Sequence, residues 1–323
     1  MDHPGQSRGS NATELDVKSR LESLIHGEGE DGAIRDREDN QVVVNKSLYE
    51  AAAQGGINGE MDFAEKLEDI AITSKLPLKV ICNRVSPYGN SLLHVAAGSG
   101  AEEITKLLLH FFPNLITSQN KEGDTPLHIA AKASRLNICQ LLLRHKSGDN
   151  GAANGVALTK MKNQSGNTAL HEAILNYYRK YKNKRGGWSY TSTSNSDHEV
   201  ITKRPECVLI QYLIHADPDL LCRENKDHES PIYMAVQYGN NPKVLDLILK
   251  YWREHDLEND QTLIDGKSPV RAAIEKKNQG IFIYIYILPN PNPHAQIYKL
   301  CIQLAYIYVL IHGKSYISSD VGI

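Results

Sequence analysis

Apolar and polar positions alternate with helical spacing through the middle of the chain, and the arrangement returns. In Gly123 Asp124 Thr125 Pro126 Leu127 His128 Ile129 Ala130 Ala131 a polar turn leads into an apolar face, and the run Leu141 Leu142 Leu143 follows. Thr125 suits a helix N-cap, where its hydroxyl accepts from an early backbone amide, and Pro126 suits the first helical position, where no amide is needed. Gly123 permits the positive φ of the turn, and the small Ala130 and Ala131 let a neighbouring helix approach closely. The pattern predicts a helix from Pro126, a turn, and a second helix carrying the leucine triad.

The segment recurs along the chain. Gly89 Asn90 Ser91 Leu92 Leu93 His94 precedes it, and Gly166 Asn167 Thr168 Ala169 Leu170 His171 follows, with the weaker His228 Glu229 Ser230 Pro231 Ile232 Tyr233 and Gly266 Lys267 Ser268 Pro269 Val270 Arg271 beyond. His94 and His128 lie 34 residues apart, His128 and His171 43, His171 and Tyr233 62, and Tyr233 and Arg271 38. Leu107 and Leu141 each stand 13 residues after their histidine. Pro113 Asn114 Leu115 aligns with Pro218 Asp219 Leu220, which puts Tyr212 at the leucine-triad position, 41 residues after His171. The long interval is therefore a 34-residue unit with 28 residues inserted between its helices, and the 43-residue interval carries 9 extra.

A unit of about 33 residues bearing T-P-L-H-x-A resembles the ankyrin repeat. The order of a polar leader, a capping unit without the histidine, repeats with a Ser-rich insertion and the run Ile274 Glu275 Lys276 Lys277 Asn278 is similar to plant ankyrin proteins of the accelerated-cell-death type. The resemblance covers 46–279 and implies an all-α ankyrin-repeat solenoid of a capping unit plus about five repeats. It implies a non-enzymatic scaffold that binds a protein partner, without a cofactor, in plant defence or cell-death signalling. The expected location is cytoplasmic, extending to the cytoplasmic face of the plasma membrane. In that family a membrane domain of several helices follows the repeats, and this chain is expected to stop short of it. The resemblance assigns His94, Thr125, Pro126, His128, Thr168, His171, Ser230 and Pro231 to holding the fold, each ring bonded to its own cap and to a neighbouring backbone. It also implies that hairpin tips and first helices face the partner, so Lys121, Glu122, Asp124, Gln164, Ser165, Asn167, Lys226 and Asp227 are the candidate partner contacts.

Composition narrows the classes. With 323 residues, 41% of them hydrophobic and 23% charged, the chain can bury a large core, laid out along a line if the repeats stack. A net charge of −2 lacks the basic excess of a nucleic-acid binder. The five cysteines, Cys82, Cys139, Cys207, Cys222 and Cys301, have no CxxC spacing and read as reduced packing residues. Residues 1–45 lack the basic start and apolar run of a secretory signal, and are expected to form a disordered leader because Gly27 to Asn40 offers little apolar surface. Ser47 to Ile70 reads as two amphipathic helices, an atypical N-terminal cap.

Three remaining features bear on chemistry. His171 Glu172 opens like H-E-x-x-H, but Leu175 fills the fifth position, and a residue recurring at every repeat start is structural. No Walker sequence occurs, and the only matches to G-x-G-x-x-G (Gly27 to Gly32) and G-x-S-x-G (Gly5 to Gly9) stand in the polar leader without the preceding strand such motifs need, so no enzyme is expected. The insertion, near 179–206, carries Arg179, Lys180, Lys182, Lys184 and Arg185 around Tyr181, which reads as a solvated loop, a nuclear-import signal, a phosphate-regulated docking segment or a weak contact with anionic lipid, at about 1 kcal/mol per cation. The tail, 280–323, holds the strand-like run Ile281 Phe282 Ile283 Tyr284 Ile285 Tyr286 Ile287 Leu288, too short to span a membrane. It has no acidic residue from Ile281 to Ser319 and reads as a non-native segment. A peripheral anionic-ligand module, or a truncated product without independent activity, are the alternative functional readings.

Overall fold

The structure is a computed structural model that describes residues 46–54, 59–83, 85–145, 157–181 and 204–238, together with Ser19, Leu21, Glu22, Ser23, Ile25, Val244, Leu247, Ile248 and Tyr251. Helices follow one another in pairs. The N-terminal unit consists of α1 (Lys46–Ala53), α2 (Gly59–Ser74) and the short α3 (Leu78–Cys82). The first two repeats pair α4 (Leu92–Ser99) with α5 (Glu102–Phe111) and α6 (Pro126–Lys132) with α7 (Leu136–Arg144). The third pairs α8 (Ala169–Tyr181) with α9 (Pro205–Ala216), and α10 (Pro231–Tyr238) opens the fourth. No strand occurs among the described residues.

The pairs stack into two rows. First helices α1, α4, α6, α8 and α10 pack successively on one another, and second helices α2, α5, α7 and α9 do the same behind them. Small residues make the inner row close: Ala96, Ala97, Ala130, Ala131, Ala173 and Ala235 are buried. A Cβ on Gly98 would stand 3.0 Å from Ile129 of the next inner helix. The core is one continuous cluster that runs between the rows, built by Leu93, Leu108, Leu127, Leu142, Leu170, Ile174, Leu213 and Ile232. The architecture is an all-α solenoid, as the periodicity requires.

Two segments differ from the sequence expectation. The leader, 1–45, is not without structure throughout, because Ser19, Leu21, Glu22, Ser23 and Ile25 are helical. Leu21 is 1% exposed and lines a groove with Phe63, Leu67, Leu78, Leu107, Leu108, Phe111 and Phe112. Apolar residues four apart on a helix share a face, and burying Leu21 and Ile25 offsets the entropy of ordering so short a piece. Helix α8 runs to Tyr181, 13 residues against 8 for α4 and 7 for α6, so Arg179 and Lys180 belong to the helix and not to the inserted loop. Its extension is held by Tyr177 and Tyr178, both buried, with the Tyr178 hydroxyl donating to the Ala235 carbonyl at 3.1 Å. Within the extension, the Lys180 ammonium meets the buried Glu206 carboxylate of α9. Residues 182–203, with Lys182, Lys184 and Arg185, lie outside the described residues, as do the motif copy at Gly266 and the tail 280–323.

Candidate protein-binding surface

Helices α4, α6, α8 and α10 are each entered through a hairpin of one design. In the second hairpin the Asn120 amide donates to the Asp124 carbonyl at 3.0 Å, and the Gly123 amide donates back to the Asn120 carbonyl at 2.9 Å. The same two bonds close Ser86 to Asn90, Asn163 to Asn167, and Asn225 to Glu229. The Asn120 side-chain oxygen accepts from the amides of Glu122 and Asp124, and Asn163 and Asn225 repeat this in their own hairpins. Such side-chain bonds fix a turn locally. The fourth position has positive φ in all four: 78° at Gly89, 74° at Gly123, 77° at Gly166 and 58° at His228.

Every pair of consecutive hairpins shares a backbone bond and an asparagine side-chain bond, and between the second and third the Gln164 side-chain amide also donates to the Lys121 carbonyl at 2.6 Å. The amides of Lys121, Gln164 and Lys226 donate to the carbonyls of Tyr88, Glu122 and Ser165 at 3.0, 2.8 and 3.0 Å. Beside each bond the side-chain amide of Asn120, Asn163 or Asn225 donates to Asn90, Asp124 or Asn167 of the preceding hairpin, at 2.8 to 2.9 Å. The asparagines were not singled out in the sequence. Their signal was there, since an Asn stands three residues before Gly123, Gly166 and His228 alike.

The motif histidines lock hairpin to helix. His128 Nε2 lies 2.9 Å from the Asn167 carbonyl, which can only accept, so Nε2 carries the proton. Nδ1 is then the acceptor, and takes the Thr125 hydroxyl at 2.8 Å and the Thr125 amide at 3.3 Å. His94 does the same between Ser91 and the Asp124 carbonyl, and His171 between Thr168 and the Glu229 carbonyl. The cap oxygens of Ser91 and Thr125 accept the amides of His94 and His128, completing reciprocal capping boxes, with Pro126 at the first turn. Burial lowers all three histidines against the weaker pull of the carbonyl, His171 to about 4. With both ring nitrogens of each occupied, none is free for a metal or a proton transfer. In the fourth unit Ser230 Oγ accepts from the Tyr233 amide at 3.2 Å, and Tyr233 occupies the histidine place.

Behind the tips lies a buried polar relay. Asp124 Oδ1 accepts from Asn163 at 2.9 Å, and Asp124 Oδ2 accepts from the Lys132 ammonium. Glu172 Oε1 accepts from Asn163 at 3.0 Å and Asn167 at 2.8 Å, and its Oε2 is 4.0 Å from Lys132. Burial pulls Lys132 down, but the hydrogen bond to Asp124 and the carboxylates of Glu172, Asp124 and Glu122 outweigh it and leave it raised. Asp124 is 0% exposed and Asn167 7%, so these two, expected to face a partner at the tips, are buried in the fold instead. They occupy the fifth hairpin position, which turns inward. Lys121, Glu122, Gln164, Ser165, Lys226 and Asp227, at the second and third positions, are exposed, and so is Tyr88, at 76%.

The family model for ankyrin repeats (3 copies) matches residues 48–154 and 93–182. The chain is an ankyrin-repeat protein. Among its relatives, this ankyrin-repeat protein is 29% identical to the Protein ACCELERATED CELL DEATH 6 of Arabidopsis thaliana over 60% of the chain and 24% of that relative. It is 27% identical to Rabankyrin-5 of Mus musculus over 50% of the chain and 14% of that relative. It is 28% identical to the Nuclear factor NF-kappa-B p105 subunit of Gallus gallus over 57% of the chain and 19% of that relative. The aligned region thus spans less than a quarter of each relative. Ankyrin repeats are protein-interaction modules, and the described part of this ankyrin-repeat protein has the exposed tips such a role needs. Among the described residues no helix is long and apolar enough to cross a membrane.

Proposed function

We propose that the chain is a non-enzymatic scaffold that holds a protein partner against the hairpin tips and the exposed flank of the first helices. The observation that supports this reading is a division of labour within each hairpin. The side chains of the first and fifth positions are spent on the turn, the next hairpin or the relay, whereas those of the second and third are exposed, although Gln164 also donates to the Lys121 carbonyl at 2.6 Å and Glu122 lies 3.6 Å from Lys132. Along the row the second position reads Pro87, Lys121, Gln164, Lys226 and the third Tyr88, Glu122, Ser165, Asp227. Exposed aromatic and charged side chains on a rigid base suit a partner surface of mixed charge, with Tyr88 as the aromatic anchor. The likeness to the plant relative named for accelerated cell death supports a place in plant cell-death or defence signalling.

The test compares capture of one partner by the native chain, by Lys121→Glu with Glu122→Lys, and by Glu103→Lys on the outer helix α5. Loss with the tip pair and retention with the outer variant, both folded by circular dichroism, is expected. Equal loss with both, or none with the tips, refutes the surface.

A further inference from the structure

We infer that the ladder of hairpins is closed at both ends, so that the interaction surface is four tips wide, Tyr88 to Asp227, and takes a partner by side chains and not by main-chain addition. The closure of the ladder stands whether or not the partner reading holds, and the width and mode of the interaction surface rest on that reading.

At every joint the incoming second-position amide passes over the glycine of the hairpin before it. A Cβ on Gly89 would stand 2.7 Å from the Lys121 nitrogen, on Gly123 2.7 Å from the Gln164 nitrogen, and on Gly166 2.6 Å from the Lys226 nitrogen. The atoms met are backbone, which cannot swing aside. Glycine is therefore required twice, by the positive φ and by the passage of the next strand of backbone. The fourth hairpin has His228 here, at φ 58°, and so carries the Cβ that the other three lack. A fifth amide would have to retreat from the Asp227 carbonyl beyond hydrogen-bond distance. The His228 ring does not reach over this edge but turns to the Glu224 carboxylate of its own unit, 3.0 Å away.

The opposite end is closed by a different device. The donor at each joint is the second-position amide, and in the first hairpin that position is Pro87, which has no N–H. Open edges of backbone invite pairing with other chains, and proline or a bulky residue at the edge is a way to prevent it. The motif copy at Gly266 has the matching defect: its first position, where Asn120, Asn163 and Asn225 stand in the ladder, is Leu263, which cannot make the side-chain bond across the joint.

Single-amide hydrogen exchange on the full chain tests this. Lys121, Gln164 and Lys226 are expected to be protected, and the amide of Ile264, the register equivalent, to exchange roughly tenfold faster or more. Restoring both halves of the joint with His228→Gly and Leu263→Asn should slow Ile264 by about tenfold. His228→Asn with Leu263→Asn, which tolerates positive φ but keeps the Cβ, should not. Protection of Ile264 in the native chain equal to that of Lys226 overturns the inference. So does a response that is the same for Gly and Asn at 228, whether both slow exchange or neither does.

Discussion

Acidification should loosen the solenoid through its buried histidines, and His171 sets the scale. Burial holds His171 at about 4 in the folded chain, against about 6.5 when unfolded. A group whose folded pKa is depressed below its unfolded value makes the unfolded chain the stronger proton acceptor. For this neutral-when-buried imidazole, stability is then fully present above about pH 6.5 and lost as pH falls toward about 4. Between about pH 7 and about pH 5 the linkage relation gives a loss of about 2 kcal/mol from His171 alone. His94 and His128 shift in the same direction for the same reason, so their contributions add in sign. With a urea slope of about 2 kcal/mol/M, the unfolding midpoint should fall by about 1 M or more over that range. Urea titrations at several pH values, paired with NMR titration of the imidazole protons, make the measurement. A midpoint constant to within a tenth of its value from neutral pH to about 5 refutes the reasoning, as does a His171 ring that titrates near 6.5.

Other perturbations probe the rest of the fold. Lys132→Met should cost about 3 kcal/mol, because it strands the buried Asp124 and Glu172 carboxylates without their cation; a change below about 1 kcal/mol in urea unfolding would mean the relay is not electrostatically coupled. Leu21→Ala should cost about 2–4 kcal/mol if the leader helix is part of the core, and a thermal melt superposable on the native one would show that it is not. Replacing 182–203 with a short Gly-Ser linker should leave the melting temperature within a few degrees, since Lys180 and Glu206 already tie the neck of the insertion; loss of helical signal on circular dichroism would contradict that. The same deletion begun at Arg179 should be more damaging, because it cuts into α8.

Much of the fold was legible because local chemistry and global periodicity agree. Thr125 and Pro126 announce a helix start, Gly123 a left-handed turn, and the structure has all three where the motif puts them. Composition conceals the leader helix because Gly27 to Asn40 dominates the first 45 residues, although Leu21, Leu24 and Ile25 show the three- and four-residue spacing of a helical face. Whether so short a face finds a groove depends on Phe63, Leu107 and Phe111, far away in sequence. The extension of α8 was hidden for the opposite reason. Tyrosine, arginine and lysine in Tyr177 to Arg185 look like a solvated loop, yet Tyr177 and Tyr178 bury their rings and keep a hydroxyl bond.

The surface residues were harder, and the hairpin shows why. Glu122 and Asp124 are both acidic, two apart, in the same turn, and sequence gives no ground to separate them. Position does: the third residue projects at the tip, while the fifth closes the hairpin with its carbonyl and turns its carboxylate to Lys132 and Asn163. The same frame gives meaning to the substitution at His228. As a departure from glycine it signals a strained turn of about 1 kcal/mol. Only the approach of Lys121, Gln164 and Lys226 to the earlier glycines shows that the position also admits or excludes a neighbour. Glycine here is conformational and steric at once, and losing it ends the ladder even where the turn survives, as the 3.2 Å bond from the His228 amide to the Asn225 carbonyl shows that it does. The sequence keeps the helix-start chemistry of the motif at Ser268 and Pro269, so under the proposed closure it is the Cβ of His228, and not loss of the motif, that sets the end of the ladder.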